Sequence, residues 1–359
     1  MDNMGRRYSK PFRYIISLAV ALVLLWFSFR GVKWDDFISG LRSCRWEFIL
    51  LSMAASIVAF YVRGLRWREL LLPIDPSIRR VTTFNAVNIG YIANFVFPRI
   101  GEFVRCGVIT GNSAPGPAPA SSSGHSSSRA EVRRLASYDK VLGTVVLERS
   151  WDMVTMILFL VCLLVFRWDK FGGFFSEKMW TPLEESIPFS IWWLGASAAV
   201  LLALVVFLMI RYRNDNAFCR KLFSICRGLL QGVGSCLKMP RKWLFFAYTA
   251  VIWAMYWLMS ASTMWALPDL DSLNIVDALF LMVAGSLGWL VPVPGGFGAF
   301  HFIVSLALET IYGIPFGLGI IFATLSHESQ AITMAVCGGG SYLYEALRTN
   351  RRTTRAQGR

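Results

Sequence analysis

Charge is what this sequence has least of. Asp, Glu, Lys and Arg make up 16% of its 359 residues, against about 25% in a soluble domain. Hydrophobic residues make up 55%, and mean hydropathy is +0.51. Acids are the scarcer sign, 22 against 36 Lys and Arg, for a formal net charge of +14. That excess does not indicate nucleic acid, because the charges lie between apolar runs rather than on one soluble face; no nucleic-acid partner is expected. Such charges serve as topology determinants and headgroup contacts. CxxC pairs are also missing. The seven cysteines (Cys44, Cys106, Cys162, Cys219, Cys226, Cys236, Cys337) are odd in number and several lie in or beside apolar runs, which argues against a disulfide framework or zinc site. There is no P-loop and no GxGxxG. The run Gly338-Gly339-Gly340-Ser341 lacks the GxSxG pattern and suits helix packing by small residues. His327-Glu328-Ser329-Gln330 begins like HExxH, but Ala331 stands where the second histidine belongs. No enzyme motif is found, and no metal or cofactor is expected.

What is present is a series of apolar runs, with 14 Trp and 27 Phe to anchor and fill them. Residues 12–29 form the first, behind Arg6, Arg7 and Lys10. It is long for a signal peptide, and Arg30-Gly31-Val32-Lys33 replaces a cleavage site, so it reads as a retained helix entering from the cytoplasm. Residues 32–47 form a short amphipathic connector outside. Residues 48–62 open a second span, and Arg63-Gly64-Leu65-Arg66-Trp67-Arg68 reads as the start of a cytoplasmic loop. Further spans are expected at 141–166, 188–210, 243–267 and about 314–344. Residues 111–128 (GNSAPGPAPASSSGHSSS) are a Gly/Pro/Ser tract that reads as a disordered cytoplasmic loop. Residues 211–242 and the arginine-rich tail 346–359 read as cytoplasmic, whereas 167–187 and 268–277 are acidic on balance and read as outside. Within the former, 217–237 alternates basic and apolar residues like a surface-lying helix.

Two runs do not fit full spans. Residues 81–97 carry Asn85, Asn88 and Asn94, and a full crossing would put the basic segment after them on the wrong face. Residues 278–291 and 299–312 flank Pro292-Val293-Pro294-Gly295-Gly296-Phe297-Gly298, and each is short of the roughly 20 residues a crossing needs. Both regions read as re-entrant hairpins, the first turning at Pro98-Arg99-Ile100-Gly101. The expected fold is therefore an all-α polytopic membrane protein of about six full spans plus two hairpins. Residues 12–166 form a first repeat and 188–345 an inverted second one, within one transmembrane domain over 1–345. A rival count takes the hairpin arms as spans and gives eight or nine helices. In inverted-repeat transporters, sites are built from broken helices at the repeat interface.

Ionisable groups within membrane segments are costly and default to functional hypotheses. Here they are Arg99, Glu102 and Arg105 around the first break, Glu148 and Asp152 one turn apart on a shared helix face with Arg149 between them, His301 after the second break, and Glu309, His327 and Glu328 in the last segments. One reading makes them structural charge pairs. The other has Arg99 and Arg105 bind a lipid phosphate, for which the guanidinium fork is suited, with Glu102 holding one arginine or coupling to a proton. Asn94, Pro294, Gly295 and Gly296 complete the expected substrate-binding set.

Four stretches carry a resemblance: Arg63-Gly64-Leu65-Arg66-Trp67, Phe97-Pro98-Arg99-Ile100-Gly101-Glu102-Phe103-Val104-Arg105, Leu147-Glu148-Arg149-Ser150-Trp151-Asp152, and Pro292 to Gly298. In this order they resemble the lysylphosphatidylglycerol synthase transmembrane-region family, flippase-like membrane proteins of bacteria and archaea, over roughly residues 12–345. The resemblance implies movement of a polar, phosphate-containing lipid across the bacterial cytoplasmic membrane, with both termini cytoplasmic. It implies a membrane phospholipid or lipid-linked substrate and a separate lipid-modifying enzyme as partners, since only a short tail follows Tyr344. Two features depart from the family pattern: His301 stands where a glutamate is usual, and the serine-rich insertion is atypical. A membrane-embedded enzyme acting on a lipid headgroup, with Glu102, Glu148 or His301 as acid or base, is the alternative. A non-catalytic accessory subunit of envelope lipid synthesis is the third reading. The lipid's identity and the oligomeric state are open.

Overall fold

Proline and glycine breaks in apolar sequence decide where the helices of this protein stop. The computed structural model describes residues 4–114, 135–168, 200 and 239–357, and among these the chain is helical with no strand. The helices are α1 (Met4–Phe29), α2 (Trp34–Arg42), α3 (Trp46–Leu71), α4 (Arg80–Val96), α5 (Gly101–Asn112), α6 (Tyr138–Phe166), α7 (Lys242–Ala266), α8 (Ile275–Leu290), α9 (Ala299–Tyr312) and α10 (Phe316–Gln357). The expected span at 188–210, the surface helix at 217–237, the loops around them and most of the serine-rich tract lie outside the described residues. The chain divides into two units, one of residues 1–145 with 243–359 and one of residues 146–242.

Four described stretches are long and apolar enough to cross a membrane: Trp46–Leu71, Tyr138–Phe166, Lys242–Ala266 and Pro294–Tyr312. A fifth is added if α1 and α2, bent by 86° about Gly31, count as one. Leu22, Val23, Trp26 and Phe27 on α1 and Ile157, Leu158, Val161 and Val165 on α6 are exposed, as lipid-facing residues are.

The sequence reading ended the second span at Val62. The structure corrects this: α3 continues through Arg63-Gly64-Leu65-Arg66-Trp67-Arg68 to Leu71. The helix persists because its polar groups turn inward and find partners. Arg63 Nη1 donates to Tyr256 Oη at 2.9 Å, and Arg66 Nη1 to Thr249 Oγ1 at 3.3 Å. The Arg66 guanidinium also lies over the Phe245 ring, 5.6 Å from its centroid. These contacts, with Ser52 Oγ donating to the Met259 carbonyl, set α3 antiparallel to α7. At the start of α3, Arg45 pairs with Asp271 at 3.1 Å. The segments 32–47 and 268–277, both read as outside, thus touch at one end of α3.

Lipid tails offer helices no hydrophobic drive to associate, so contact relies on small residues and polar pairs. A β-carbon on Gly288 would lie 2.7 Å from Phe300 Cα, and one on Gly319 would lie 2.8 Å from Ser305 Cα. Of the Gly338–Gly340 run, only Gly338 is pressed against a neighbour, the Asn88 carbonyl and Ile92 on α4. A polar node ties α4, α5 and α10: Asn85 and Asn112 donate to the two oxygens of Glu345 at 2.8 and 3.1 Å.

Candidate functional site

The first break begins with Pro98. A residue before proline is pushed out of the α region, and Phe97 is extended at φ −132, ψ 126. The chain reverses within four residues, and α5 runs back along α4. Asn94 Oδ1 accepts the Gly101 amide at 2.7 Å and closes the turn. Gly101 itself abuts the Gly90 carbonyl so closely that a β-carbon has no space, which fixes how near the two arms lie.

Arg99 has φ +61 and is the non-glycine residue with a left-handed backbone among those described. That conformation costs about 1–2 kcal/mol. It aims the side chain across at α8, where Nη2 donates to the Leu290 carbonyl at 2.6 Å. Leu290 ends its helix, so the cation sits where unsatisfied carbonyls gather partial negative charge. Arg99 is exposed and Glu102 half-buried, whereas Arg105 is buried with its guanidinium 4.6 Å from the Trp67 ring centroid. The two arginines expected to share one phosphate therefore occupy different surroundings.

The second break is built by backbone. After α8 the chain makes one 3-10 turn over Pro294–Gly296, and Gly295, Gly296 and Gly298 all have positive φ. Gly298 lies against α1, where a β-carbon would be 2.7 Å from Leu25 N and 2.8 Å from the Ala21 carbonyl. The two breaks touch: the Phe95 and Phe297 rings are 6.0 Å apart, and Phe95 Cδ1 packs on Gly295.

Directly behind the second break lies a cluster whose full membership the sequence did not reveal. His301 at the start of α9 is 1% exposed, and His327 in the middle of α10 is 0% exposed. His327 Nε2 is 2.8 Å from the Gly295 carbonyl, and its Nδ1 is 3.0 Å from Glu328 Oε1. His301 Nε2 is 3.7 Å from the same oxygen. Trp289 stacks on His327 at 5.1 Å, and Phe297 meets it edge-on at 4.8 Å. Pro294, Gly295 and Gly296, expected as substrate contacts, are buried and wall this cluster. In the sequence His327-Glu328 fails as HExxH because Ala331 stands at the second histidine position; the histidine that packing brings beside the pair is His301, on the preceding helix. Glu309, also flagged, is exposed near the far end of α9.

Arg63 and Arg66, read from the sequence as loop residues, are buried within α3. Their spacing of three puts them on one helix face, and this was the available clue. Glu148, Arg149 and Asp152 lie on α6 within the second unit, with Glu148 buried, Arg149 exposed and Asp152 intermediate.

The hairpins are also held at their bases. Asp75, in the loop before α4, accepts from Ser77 N (2.9 Å), Ser77 Oγ (2.6 Å), Ser113 Oγ (2.6 Å) and Ala114 N (3.0 Å). Burial pushes its carboxyl upward, but the hydrogen bonds outweigh that and hold it below the usual carboxylate range. Asp277, at the base of the other hairpin, completes a capping box with Asn274 and accepts the Tyr312 hydroxyl at 3.1 Å.

Compared with known families, the chain matches over residues 14–338 the family described as "Lysylphosphatidylglycerol synthase TM region". Comparison with curated proteins and with solved structures finds no match.

Proposed function

The chain belongs to the lysylphosphatidylglycerol synthase transmembrane-region family, and from that membership we propose that it carries a polar, phosphate-containing lipid across the cytoplasmic membrane. One observation carries the reading. The first hairpin is rooted by Asp75 beyond Leu71, at the C-terminal end of α3, and the second by Asp277, near the Arg45–Asp271 pair at the N-terminal end. Rooted at opposite ends of a helix about 39 Å long, they meet at their tips. Irregular backbone at membrane depth is tolerated where protein buries it or where it lines a wet cavity, and opposed broken helices are the plan of inverted-repeat transporters.

In this reading both hairpins are re-entrant and the halves are inverted repeats. Arg99 is the entry group: it is exposed and holds the Leu290 carbonyl through a single bond, which a phosphate can replace with a charge-assisted bidentate contact. Arg105, buried on Trp67, supplies fixed positive charge deeper in the first hairpin, and Glu102 orients an arginine. Asn94, Pro294, Gly295, Gly296 and His301 shape the passage. Translocation of headgroup-labelled anionic and zwitterionic lipids in reconstituted liposomes tests this. The Arg99→Ala/Arg105→Ala double variant is expected to lose at least tenfold in rate; a folded variant with the native rate would overturn the assignment.

A second reading, an enzyme acting on the lipid headgroup, draws on the His301–His327–Glu328 cluster beside the tips. Product formed by purified protein in labelled vesicles would favour it.

A further inference from the structure

The hydrogen-bond arithmetic at His327 does not close. Neutral imidazole has one N–H and one lone pair. His327 presents both nitrogens to acceptors, the Gly295 carbonyl at 2.8 Å and the Glu328 carboxylate at 3.0 Å. If Nε2 donates to Gly295, then Nδ1 turns a lone pair toward a carboxylate oxygen, and something positive belongs between them. A single proton there would leave His301 unexplained. Its Nε2 points at the same carboxylate oxygen from 3.7 Å, too far for a hydrogen bond.

We propose that His301, His327 and Glu328 bind a divalent transition-metal ion, with zinc the best fit. One ligand atom from each of the three lies within 4.8 Å of the others. Ligands on a tetrahedral zinc with bonds near 2.1 Å stand about 3.4 Å apart; the two separations to Glu328, 3.0 and 3.7 Å, bracket that value, and the two histidine nitrogens, within 4.8 Å of each other, close on the ion as it binds. The Gly295 carbonyl supplies the outer contact that metal-bound histidines make, fixing the ring and its tautomer. Trp289, Phe297 and Phe300 pack around His327 and keep water from the ring side. Two imidazoles and one carboxylate select zinc or a neighbouring first-row ion over calcium or magnesium. Three protein ligands leave a fourth position for water or an anion, on the side where the Glu328 side chain is 40% exposed.

The site stands independently of lipid transport. The test uses full-length protein in detergent, purified without a histidine tag, stripped by chelator and titrated with Co2+, whose visible absorption bands report tetrahedral coordination. Native protein is expected to take one Co2+ per chain with such bands, displaced by Zn2+. His301→Gln and Glu328→Gln are each expected to weaken binding at least tenfold, while His125→Gln, at the remaining histidine, binds as native. Glu328 is partly exposed, so its variant retains the fold, and thermal melting of each variant is recorded alongside. Native protein that binds no Co2+, or His301→Gln and Glu328→Gln variants that keep the native stoichiometry and spectrum, would overturn the proposal.

Discussion

The two hairpins perform the same reversal with opposite means. In the first, the turn is Pro98-Arg99-Ile100, and its distinctive group is a side chain: Arg99 takes a left-handed backbone to reach the Leu290 carbonyl. In the second, three glycines with positive φ make the turn, no charged side chain is used, and a backbone carbonyl, that of Gly295, reaches His327. Their bases repeat the contrast in milder form. Asp75 grips the end of α5 from a neighbouring loop, through hydroxyl and amide donors. Asp277 grips Tyr312 from within its own helix cap. Both hairpins are drawn tight by backbone packing, at Gly101 on Gly90 and at Gly298 on α1, and they differ at the turn itself, where the first adds a cationic side chain bound to a carbonyl and the second does not.

This contrast can be broken most severely at Gly298. Gly298→Val would place side-chain atoms against the α1 backbone at a positive φ, costing about 3 kcal/mol or more. Loss of folded, detergent-soluble protein, followed by fluorescence-detected size exclusion, is the expected result. Gly101→Val at the first hairpin forces the arms apart at the Gly90 carbonyl. A fall in melting temperature is expected there too, since the added β-carbon also meets the Asn94 side chain that closes the turn.

Arg66→Leu comes next. The residue is 0% exposed, donates to Thr249 and lies over the Phe245 ring, so about 1–3 kcal/mol is lost with that charged hydrogen bond and ring contact. A chemical denaturation series measures it. An unchanged midpoint would show that the inward-facing arginines are not needed to hold α3 to α7.

The smallest effect is at Asp75 and depends on pH. Its folded carboxyl titrates below the unfolded value of about 3.9. Its contribution is therefore fully present above that value and disappears as pH falls through the folded one. Asp75→Asn is expected to be less stable at neutral pH and to lose part of the acid dependence between pH 5 and the folded titration. Melting curves across that range check the sign.

Much of the helical plan was legible because it rests on local signals. Pro98 and the Pro292–Gly298 stretch stop helices whatever surrounds them, and run lengths marked 81–97 and 278–312 as unlike their neighbours. The end of α3 was misread for a physical reason. Arginines after an apolar run look like an interface, and only α7, 183 residues on from Arg66 at Thr249, reveals the hydroxyls that let them stay inside. The histidine cluster was hidden in the same way. His327-Glu328 is incomplete along the chain, and its third member joins through packing of α9 on α10, which no local pattern encodes. The surroundings of Arg99 and Arg105 differ because Arg105 is about one helical turn into α5, where the α3 residue Trp67 covers it.

The most direct test of the account is lipid translocation by Arg99→Gly in liposomes, measured beside Arg99→Lys and the native protein with melting curves for all three. Glycine removes the cation and also relieves the left-handed backbone, so it separates charge from strain. The account predicts a glycine variant as stable as the native protein or more so, yet at least tenfold slower, with lysine between them. A glycine variant that translocates lipid at the native rate would contradict the claim that Arg99 is the group the lipid phosphate engages at the meeting of the two hairpins.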